Sequence, residues 1–351
     1  MDLEIGATAN VSSTLPPSLY TDLAVFALER ERIFRLQWIA VARSEWLAAP
    51  RSYVACDVVG DPIVVTRDDG GTLRAFSNVC LHRACPIASG RGAAEHGSLT
   101  CPYHRWTYGL DGRLKSAPLM DQAKGFDKSA LHLPQLRVEE WLGWVFVNMD
   151  QDAAPLAPQL AALHDLMAPF RVNEMTVYKT LRFDSRWNWK IMVENFMESY
   201  HVLGVHPQTL NANFPSAATY WVDLPGAFSL LENPPRDPAA APLWVMCLFP
   251  NTIFALTRGD TPTGFWYQMD LHGHDHFTLD IHLMAHRPLA DDPEFIERST
   301  GITTAIHLED IPMCEGVWKG VNSWYAPVGR LSHLEAANWR FHQYLRDRLA
   351  G

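Results

Sequence analysis

Hydrophobic residues recur at helical spacing near the start of the chain and at strand spacing after it. In YTDLAVFALERERIF, residues 20–34, apolar side chains lie three and four apart, and Thr21 or Asp22 is placed to cap the first turn. From residue 38 to about 150, short β-branched and aromatic runs such as IVVT and WLGWVFVNM alternate with glycine and aspartate turns. We predict one amphipathic helix followed by a small antiparallel β domain.

The second half of the chain mixes helical and strand patterns. The proline-rich stretch DAAPLAPQL, which begins at Asp152, indicates a domain boundary. Beyond it, the pattern predicts a long helix from Trp187 to about Leu203 and a closing helix that begins near Thr304. A short helix is expected near 160–170, and strands near 175–184, 218–231, 244–256, 264–271 and 276–286. The expected fold class is α+β, an all-β domain plus a domain with an antiparallel sheet covered by helices.

Two loops of the predicted β domain each carry one cysteine and one histidine. Cys80 and His82 form a C-x-H pair, and Cys101 and His104 form a C-x-x-H pair eighteen residues later. Four such ligands suit a structural zinc ion, or a two-iron, two-sulfur cluster in which two thiolates hold one iron and two imidazoles the other. Zinc fingers group their cysteines in one pair and their histidines in the other. The mixed pairs here favour the cluster, because each loop then reaches both irons.

A second candidate metal site lies in NWKIMVENFMESYHVLGVHPQTL, which begins at Asn188. On a continuous helix His206 would point away from His201. Gly204 and the X-Pro step at Pro207 predict that the helix ends there, which lets both imidazoles meet one ion. Two histidines alone are weak evidence, since the chain has 15.

A third ligand is available in IHLEDIPMCEGVWKG, on the predicted closing helix. Asp310 is preferred over Glu309 or Glu315. Two histidines and one carboxylate on one face of a ferrous ion leave positions open for oxygen and substrate. Upstream, helical spacing places Asn195 and Glu198 near the face of the first histidine, although spacing alone would favour a surface role for Glu198.

Composition narrows the function classes. The 351 residues are 48% hydrophobic and 11% aromatic, which suits two globular domains. A net charge of −10 without a basic run argues against nucleic acid or an anionic membrane as partner. No apolar stretch reaches the ~18 residues of a spanning helix, and MDLEIGATAN lacks the features of a signal peptide. We therefore expect a cytoplasmic location, with Cys56, Cys247 and Cys314 as small buried side chains.

The first ligand set resembles the Rieske ferredoxin-like domain. Its pattern C-x-H-R…C-P-x-H-x-W-x-Y…G is matched at nearly every position. Respiratory Rieske proteins carry two further cysteines in a disulfide. Here Cys85 stands near one such position, but Tyr103 occupies the other. The resemblance is therefore to the oxygenase branch, and it implies a lower reduction potential.

The second ligand set resembles the α subunits of Rieske non-haem iron oxygenases. The motifs are NWK-x-x-x-EN-x-x-E-x-YH-x-x-x-x-HP and ED-x-x-x-CE-x-V. The resemblance implies a mononuclear ferrous iron on His201, His206 and Asp310, and a Rieske cluster on Cys80, His82, Cys101 and His104. It divides the chain into 38–151 for the cluster domain and 1–37 with 152–351 for the catalytic domain.

The same resemblance implies a reaction and its partners. Dioxygen and a small substrate would react with electrons that arrive from NAD(P)H through a flavin reductase or a ferredoxin. In a homotrimer, Glu198 would bridge the cluster of one subunit and the iron of the next, and Asn195 would be a second catalytic residue. An electron carrier needs only the first ligand set, and a zinc-stabilised binding module needs no iron; the second ligand set argues against the carrier.

A glutamate at position 198 resembles the branch of choline monooxygenase, glycine betaine and stachydrine demethylases and carnitine monooxygenase. This implies hydroxylation or oxidative N-demethylation of a quaternary ammonium compound. A cation–π cage is expected from among Phe214, Tyr220, Trp221, Trp266 and Tyr267. The alternative is hydroxylation or O-demethylation of an aromatic or carboxylate-bearing substrate, anchored by Arg258 or Arg287.

One further cluster, His272, His274 and His276, invites another metal site. The turn-like GHD between them favours a solvated hairpin instead.

Overall fold

Residues 39–148 consist mainly of short strands, as their alternating pattern predicts. The computed structural model describes residues 5–259 and 261–350. The strands of this region are β1 (Ile39–Arg43), β2 (Ser52–Val58), β3 (Asp61–Arg67), β4 (Leu73–Ser77), β5 (Arg91–Ala93), β6 (Ser98–Thr100), β7 (Thr107–Gly109), β8 (Leu114–Ser116), β9 (Gln135–Trp141) and β10 (Trp144–Asn148). They pair antiparallel in a seven-stranded sheet of order β1-β10-β9-β4-β3-β2-β5 and a three-stranded sheet of order β6-β7-β8.

One hydrophobic cluster joins these two sheets. Val64 and Phe76 of the large sheet pack with Leu99 and Tyr108 of the small one, together with buried Trp106. Cys80 and Cys101 belong to the same cluster. The core of this region therefore extends directly to the two cysteines of the first ligand set.

A second antiparallel sheet follows in the chain. Its strands are β11 (Thr176–Ser185), β12 (Tyr220–Trp221), β13 (Phe228–Asn233), β14 (Leu243–Leu248), β15 (Thr252–Thr257), β16 (Thr263–Leu271) and β17 (Phe277–Ala285). Their order is β11-β17-β16-β15-β14-β13-β12, so neighbours in the sheet are mostly neighbours in sequence. The single strand predicted near 244–256 is in fact the hairpin of β14 and β15.

Nine α-helices are present in the described part of the chain. They are α1 (Ser18–Thr21), α2 (Leu23–Glu29), α3 (Leu156–Gln159), α4 (Ala161–Met167), α5 (Trp189–Phe196), α6 (Val202–Val205), α7 (Leu210–Asn213), α8 (Pro293–Val321) and α9 (Ala336–Leu349). The predicted first helix is present but begins at Leu23, and it continues beyond Glu29 as a π-helical turn over Arg30–Phe34. Asp22 caps α2 by accepting the N–H of Ala24 at 2.8 Å.

The long helix predicted from Trp187 to Leu203 is wrong in its extent. The chain leaves the helix at Met197, and only after a break does α6 form. The break has a physical cause, because the Glu198 carboxylate accepts the backbone N–H of His201 at 3.0 Å and so starts a new turn. The helix does end before Pro207, as expected.

The closing helix begins earlier than Thr304. Its first residue is Pro293, and the side chain of Asp292 accepts the N–H of Glu294 at 3.0 Å. An aspartate cap followed by proline at the first helical position is a readable start signal that the periodicity alone did not reveal.

Two compact units make up the structure. Arg35–Leu156 forms one, and the described residues before and after it form the other. The N-terminal helices join the second unit through a buried ion pair, in which Lys190 Nζ of α5 lies 2.6 Å from Glu29 Oε1 of α2. Trp189 Nε1 donates to the other oxygen of Glu29 at 2.9 Å. Within the described ranges, no helix is both long and apolar enough to cross a bilayer.

Candidate iron centres

Two turns of the same form hold the first ligand set. Cys80 follows β4 and Cys101 follows β6. In each turn the N–H four residues later donates to the cysteine carbonyl, from Ala84 at 3.0 Å and from Arg105 at 3.1 Å. Both donors have left-handed backbones, with φ of 55° and 62°. Each C-x-H or C-x-x-H pair is thereby folded back so that its cysteine and histidine point to one place.

The cysteines and the histidines of this set differ in exposure. Cys80 and Cys101 are buried, whereas His82 is exposed and His104 is half-buried. The two imidazole centroids lie 4.5 Å apart, and the ring of His82 stacks on buried Trp106 at 4.9 Å. A group held here would have its thiolate side inside the core and its imidazole side at the surface.

Tyr108 is a further residue of this centre that sequence reasoning left without a role. Its hydroxyl lies 3.3 Å from Cys80 Sγ and accepts the N–H of Leu81 at 3.0 Å. Burial raises the pKa of Tyr108 well above its ordinary value, so the hydroxyl keeps its proton. The hydroxyl can therefore donate a hydrogen bond to the Cys80 thiolate. Hydrogen bonds to the sulfur atoms tune the reduction potential of an iron–sulfur cluster. The tyrosine of the C-P-x-H-x-W-x-Y motif was the available signal.

The spread of these four ligands distinguishes zinc from a cluster. In the described part of the chain, the one set of three or more histidine, cysteine or acidic residues with all ligand atoms within 4.8 Å is His201, His206 and Asp310. A single zinc ion needs its donors about 2.0–2.3 Å away and therefore close to one another. The first set is wider, which suits a two-iron cluster. All six cysteines are free, so no disulfide flanks this site.

The structure brings the second ligand set together. His201 directly precedes α6, His206 directly follows it, and Asp310 lies buried in α8. Asp310 Oδ1 is 2.9 Å from His206 Nε2 and 3.6 Å from His201 Nε2. Three donors thus converge from one short segment and one distant helix.

A glutamate holds the other nitrogen of each histidine. His201 Nδ1 lies 2.5 Å from Glu198 Oε1, and His206 Nδ1 lies 2.6 Å from Glu309 Oε2. The Thr209 hydroxyl donates to the same Glu309 oxygen at 2.7 Å. Because an ionised carboxylate only accepts, Nδ1 of each histidine donates to its glutamate, and Nε2 is the nitrogen that faces Asp310 and would bind the metal. This pattern is typical of histidine ligands.

The electrostatics of this site favour a cation. Burial acts to lower the pKa of His206, but hydrogen bonds and charge interactions with Asp310 and Glu309 outweigh it and raise the pKa. A site that promotes positive charge on an imidazole also stabilises a metal ion, and two histidines with one carboxylate suit ferrous iron. The residues therefore fit a mononuclear iron.

Neither alternative to Asp310 as the third ligand lies on the metal side of the two histidines. Glu309 reaches the far nitrogen of His206 rather than the ligand side, and Glu315 is exposed. Asn195 and Glu198 both line a cavity that also contains His201, His206 and Asp310. Glu194, their neighbour, instead accepts from the Tyr20 hydroxyl at 2.8 Å and lies 2.6 Å from His342 Nε2.

A small cavity opens at the second ligand set. Its volume is about 110 Å³, and most of its lining is apolar. Three aromatic rings in the lining contact one another, with centroids 4.8–5.9 Å apart; they belong to Phe196, Phe265 and Tyr267. The remaining lining residues are Asn195, Glu198, Ser199, His201, Val202, His206, Leu210, Phe214, Leu231, Asn233, Leu243, Val245, Thr303, Ile306 and Asp310. The cavity joins aromatic surface to the candidate iron ligands.

Two of the five aromatic residues suggested for a cation–π cage lie at the cavity. Phe214 and Tyr267 line the cavity, whereas Tyr220, Trp221 and Trp266 are absent from its lining. Trp266 is buried against His282 at a ring distance of 4.8 Å. Alternation along β16 carried the missing signal, since residues two apart share a face and Tyr267 therefore implicates Phe265.

The three histidines near residue 274 belong to the hairpin between β16 and β17. His272 Nε2 lies 2.8 Å from the Thr278 hydroxyl, and His276 Nε2 lies 2.6 Å from Asp184. They form no ligand set within the described ranges. The expected solvated hairpin is confirmed.

Comparisons with known proteins agree with this geometry. Residues 37–135 match the Rieske 2Fe-2S domain family, and residues 172–233 and 219–351 match the ring hydroxylating alpha subunit (catalytic domain) family. Together the two matches cover both candidate centres.

Individual relatives extend the match over almost the whole chain. The carnitine monooxygenase oxygenase subunit of Acinetobacter baumannii is 32% identical over 349 residues, which are 93% of this chain and 90% of the relative. Chloroplastic choline monooxygenase of Spinacia oleracea is 28% identical over 96% of this chain and 78% of its own. A crystal structure of the quaternary ammonium Rieske monooxygenase CntA with L-carnitine superposes with a TM-score of 0.86 at 26% identity, covering 99% of both chains.

Proposed function

Because this chain belongs to the family of Rieske non-haem iron oxygenase α subunits, we propose that it hydroxylates or oxidatively N-demethylates a small quaternary ammonium compound. The observation that carries the proposal is the cavity, in which His201, His206 and Asp310 meet a wall of three aromatic rings. Aromatic faces attract quaternary ammonium groups, by on the order of 1–2 kcal/mol when desolvated. The relatives named for carnitine and choline point to the same substrate class.

The protein side of the reaction follows from the contacts of the ligands. When bound, the cluster supplies electrons one at a time and the mononuclear iron binds and activates dioxygen. Glu198 and Glu309 keep a proton on Nδ1 of each histidine, so Nε2 stays available to the metal. The apolar lining excludes water from the reacting carbon, and the aromatic rings orient it.

An oxygenase subunit of this family works with a reductase partner. We assign that role to an NAD(P)H-dependent flavin reductase or a ferredoxin. The exposed edge of the cluster site, formed by His82 and Tyr103, is assigned to the subunit contact proposed next, so we expect the redox partner to dock on another face.

We propose a head-to-tail homotrimer in which Glu198 bridges the iron of one subunit to the cluster of the next. Exposed apolar side chains flank both ends of this route. Leu81 and Tyr103 lie beside the cluster histidines, and Tyr200 and Leu203 lie beside Glu198. Such residues are commonly covered in an interface. Asn195, which lines the cavity, is proposed to contact the substrate.

The domain assignment is part of this proposal. Residues 38–151 hold the cluster, and residues 1–37 with 152–351 hold the mononuclear iron. A cytoplasmic location stays a prediction from the sequence.

Oxygen consumption tests the proposed function. With NAD(P)H and a reductase, quaternary ammonium compounds should stimulate oxygen uptake, and formaldehyde release would identify demethylation. His206→Ala should abolish turnover while the visible spectrum of the cluster persists. His272→Ala, on the distant hairpin, is the matched control and should stay active. Full turnover in His206→Ala, or stimulation by aromatic acids alone, would contradict the proposal.

A further inference from the structure

The cavity beside the candidate iron ligands is lined by carboxylates but by no lysine or arginine among the described residues. Glu198 and Asp310 are its carboxylates, and among the described residues that line it there is neither lysine nor arginine. The bound ferrous ion would balance these two charges and leave no excess positive charge for a substrate anion. This charge pattern restricts the substrate more narrowly than the aromatic rings do.

The arginines that the sequence suggested as anchors are engaged elsewhere. Arg258 pairs with Glu232 at 3.0 Å and lies over a tryptophan ring. Arg287 pairs with Asp291 at 3.3 Å and lines a different cleft. Arg236, near α7, donates to backbone carbonyls of that helix. None of the three belongs to the cavity lining.

A carboxylate and an ammonium group therefore face opposite energetics in this cavity. A buried carboxylate needs a cation or several hydrogen-bond donors, and removal from water without them is strongly unfavourable. The Asn233 amide is already engaged, since its oxygen accepts from Thr219 at 2.8 Å and its nitrogen donates to the Leu243 carbonyl at 3.1 Å. The other polar groups of the lining outside the iron site, which belong to Asn195, Ser199, Thr303 and Tyr267, are neutral and supply no positive charge. A trimethylammonium group, by contrast, is favoured by the aromatic faces and needs no charged partner.

We infer that the site selects a compact quaternary ammonium compound without a carboxylate and discriminates against betaines. The inference rests on the proposed function and deepens it. The cavity volume of about 110 Å³ is small, below the roughly 150 Å³ of a cavity that takes one benzene, so it favours the smallest members of the substrate class.

Choline and glycine betaine form a matched pair for the test. Both carry a trimethylammonium group on a two-carbon chain, which ends in an alcohol in one and a carboxylate in the other. With the complete enzyme, cluster and iron loaded, kcat/KM for choline should exceed that for glycine betaine on the order of 100-fold. Equal values, or a preference for the betaine, would overturn the inference and leave the proposed function standing. Stimulation by neither compound, but by an uncharged substrate, would overturn both.

A charge added to the lining provides a second, independent measurement. Leu243 lies in the lining at the start of β14. Leu243→Arg should raise the ratio of betaine to choline turnover at least about 10-fold. Leu243→Gln introduces a polar but uncharged side chain of about the size of leucine. It should leave the ratio of betaine to choline turnover at its wild-type value. An unchanged ratio in an arginine variant that retains cluster and iron would argue against charge as the basis of selection.

Discussion

Glu309 and Asp310 are adjacent in sequence and act on opposite sides of His206. Successive residues of a helix point about 100° apart, so one helix presents Asp310 to Nε2 and Glu309 to Nδ1. Sequence reasoning treated the two carboxylates as competitors for one role. At the residue scale we propose different roles for them: Asp310 binds the metal, and Glu309 positions His206, which also binds it.

Loss of the Glu309 carboxylate should weaken iron binding. Glu309→Ala leaves His206 free to rotate and to change its tautomer, so the affinity of the mononuclear site should fall about 10- to 100-fold. Anaerobic titration with Fe²⁺ or Co²⁺ measures this directly, and Glu309→Gln should recover part of the loss. Glu315→Ala, on the same helix but exposed, should bind metal normally. Unchanged affinity in Glu309→Ala would contradict the positioning role.

His307 makes stability depend on pH. Burial lowers the pKa of His307 to about 4, and neither ring nitrogen has a hydrogen-bond partner among the described residues. The unfolded chain has a pKa of about 6.5 at this residue, so it binds the proton first as pH falls. The free energy of unfolding should therefore decrease below pH 6.5, by about 2–3 kcal/mol at pH 4.5.

His307→Phe should flatten this dependence because the titrating group is gone. Urea unfolding of both proteins between pH 4.5 and 7.5 measures the difference. Parallel pH curves for the two proteins would show that His307 has no part in it.

At the scale of elements, a broken helix and a long helix create the second centre. The chain leaves α5 at Met197, which lets His201 and His206 flank the single turn of α6. The 29-residue helix α8 then carries Asp310 to them across 104 positions of sequence. A continuous helix would have separated the two histidines around its axis.

The buried ion pair between α2 and α5 should matter more than any surface pair. Lys190→Met leaves Glu29 buried without its cation, and Trp189 is then its one side-chain donor among the described residues, which should cost about 3–5 kcal/mol of unfolding free energy. Urea denaturation followed by tryptophan fluorescence measures the loss. Arg186→Met removes the exposed pair with Asp184 and should cost no more than about 1 kcal/mol. Equal losses in both variants would contradict this view of the helix contact.

At the scale of the whole molecule, the proposed trimer predicts complementation between two inactive chains. His104→Ala should lack the cluster and keep the mononuclear iron, and His206→Ala should do the reverse. In randomly mixed head-to-tail trimers, about a quarter of the subunit interfaces place an intact cluster of one chain next to an intact mononuclear iron site of its neighbour. Mixed, co-refolded or co-expressed chains should therefore recover about a quarter of wild-type turnover.

The two variants expressed separately are the control and should show no turnover. No recovery on mixing, with trimers formed, would place electron transfer within one chain instead.

The sequence carried both ligand sets because their chemistry depends on residue type and short spacing. C-x-H, C-x-x-H and the histidines around Gly204 can be read directly, and the α+β fold follows from where strand and helix periodicities alternate. The Asp292-Pro293 start of α8 was also readable and was missed. Signals of this kind involve only a few neighbouring residues. They can therefore be recognised from the sequence without knowledge of the fold.

Only the tertiary structure decided which residues line the cavity at the second ligand set. The aromatic wall joins Phe196 to Phe265 and Tyr267, which lie far away in sequence, and Glu309 has a role only because α8 passes His206. Charge selection likewise depends on which arginines are engaged elsewhere. The sequence alone determined the metals that the chain is equipped to hold, because ligand type and spacing are local. Cavity shape and charge arise from contacts between distant segments, and packing determines those.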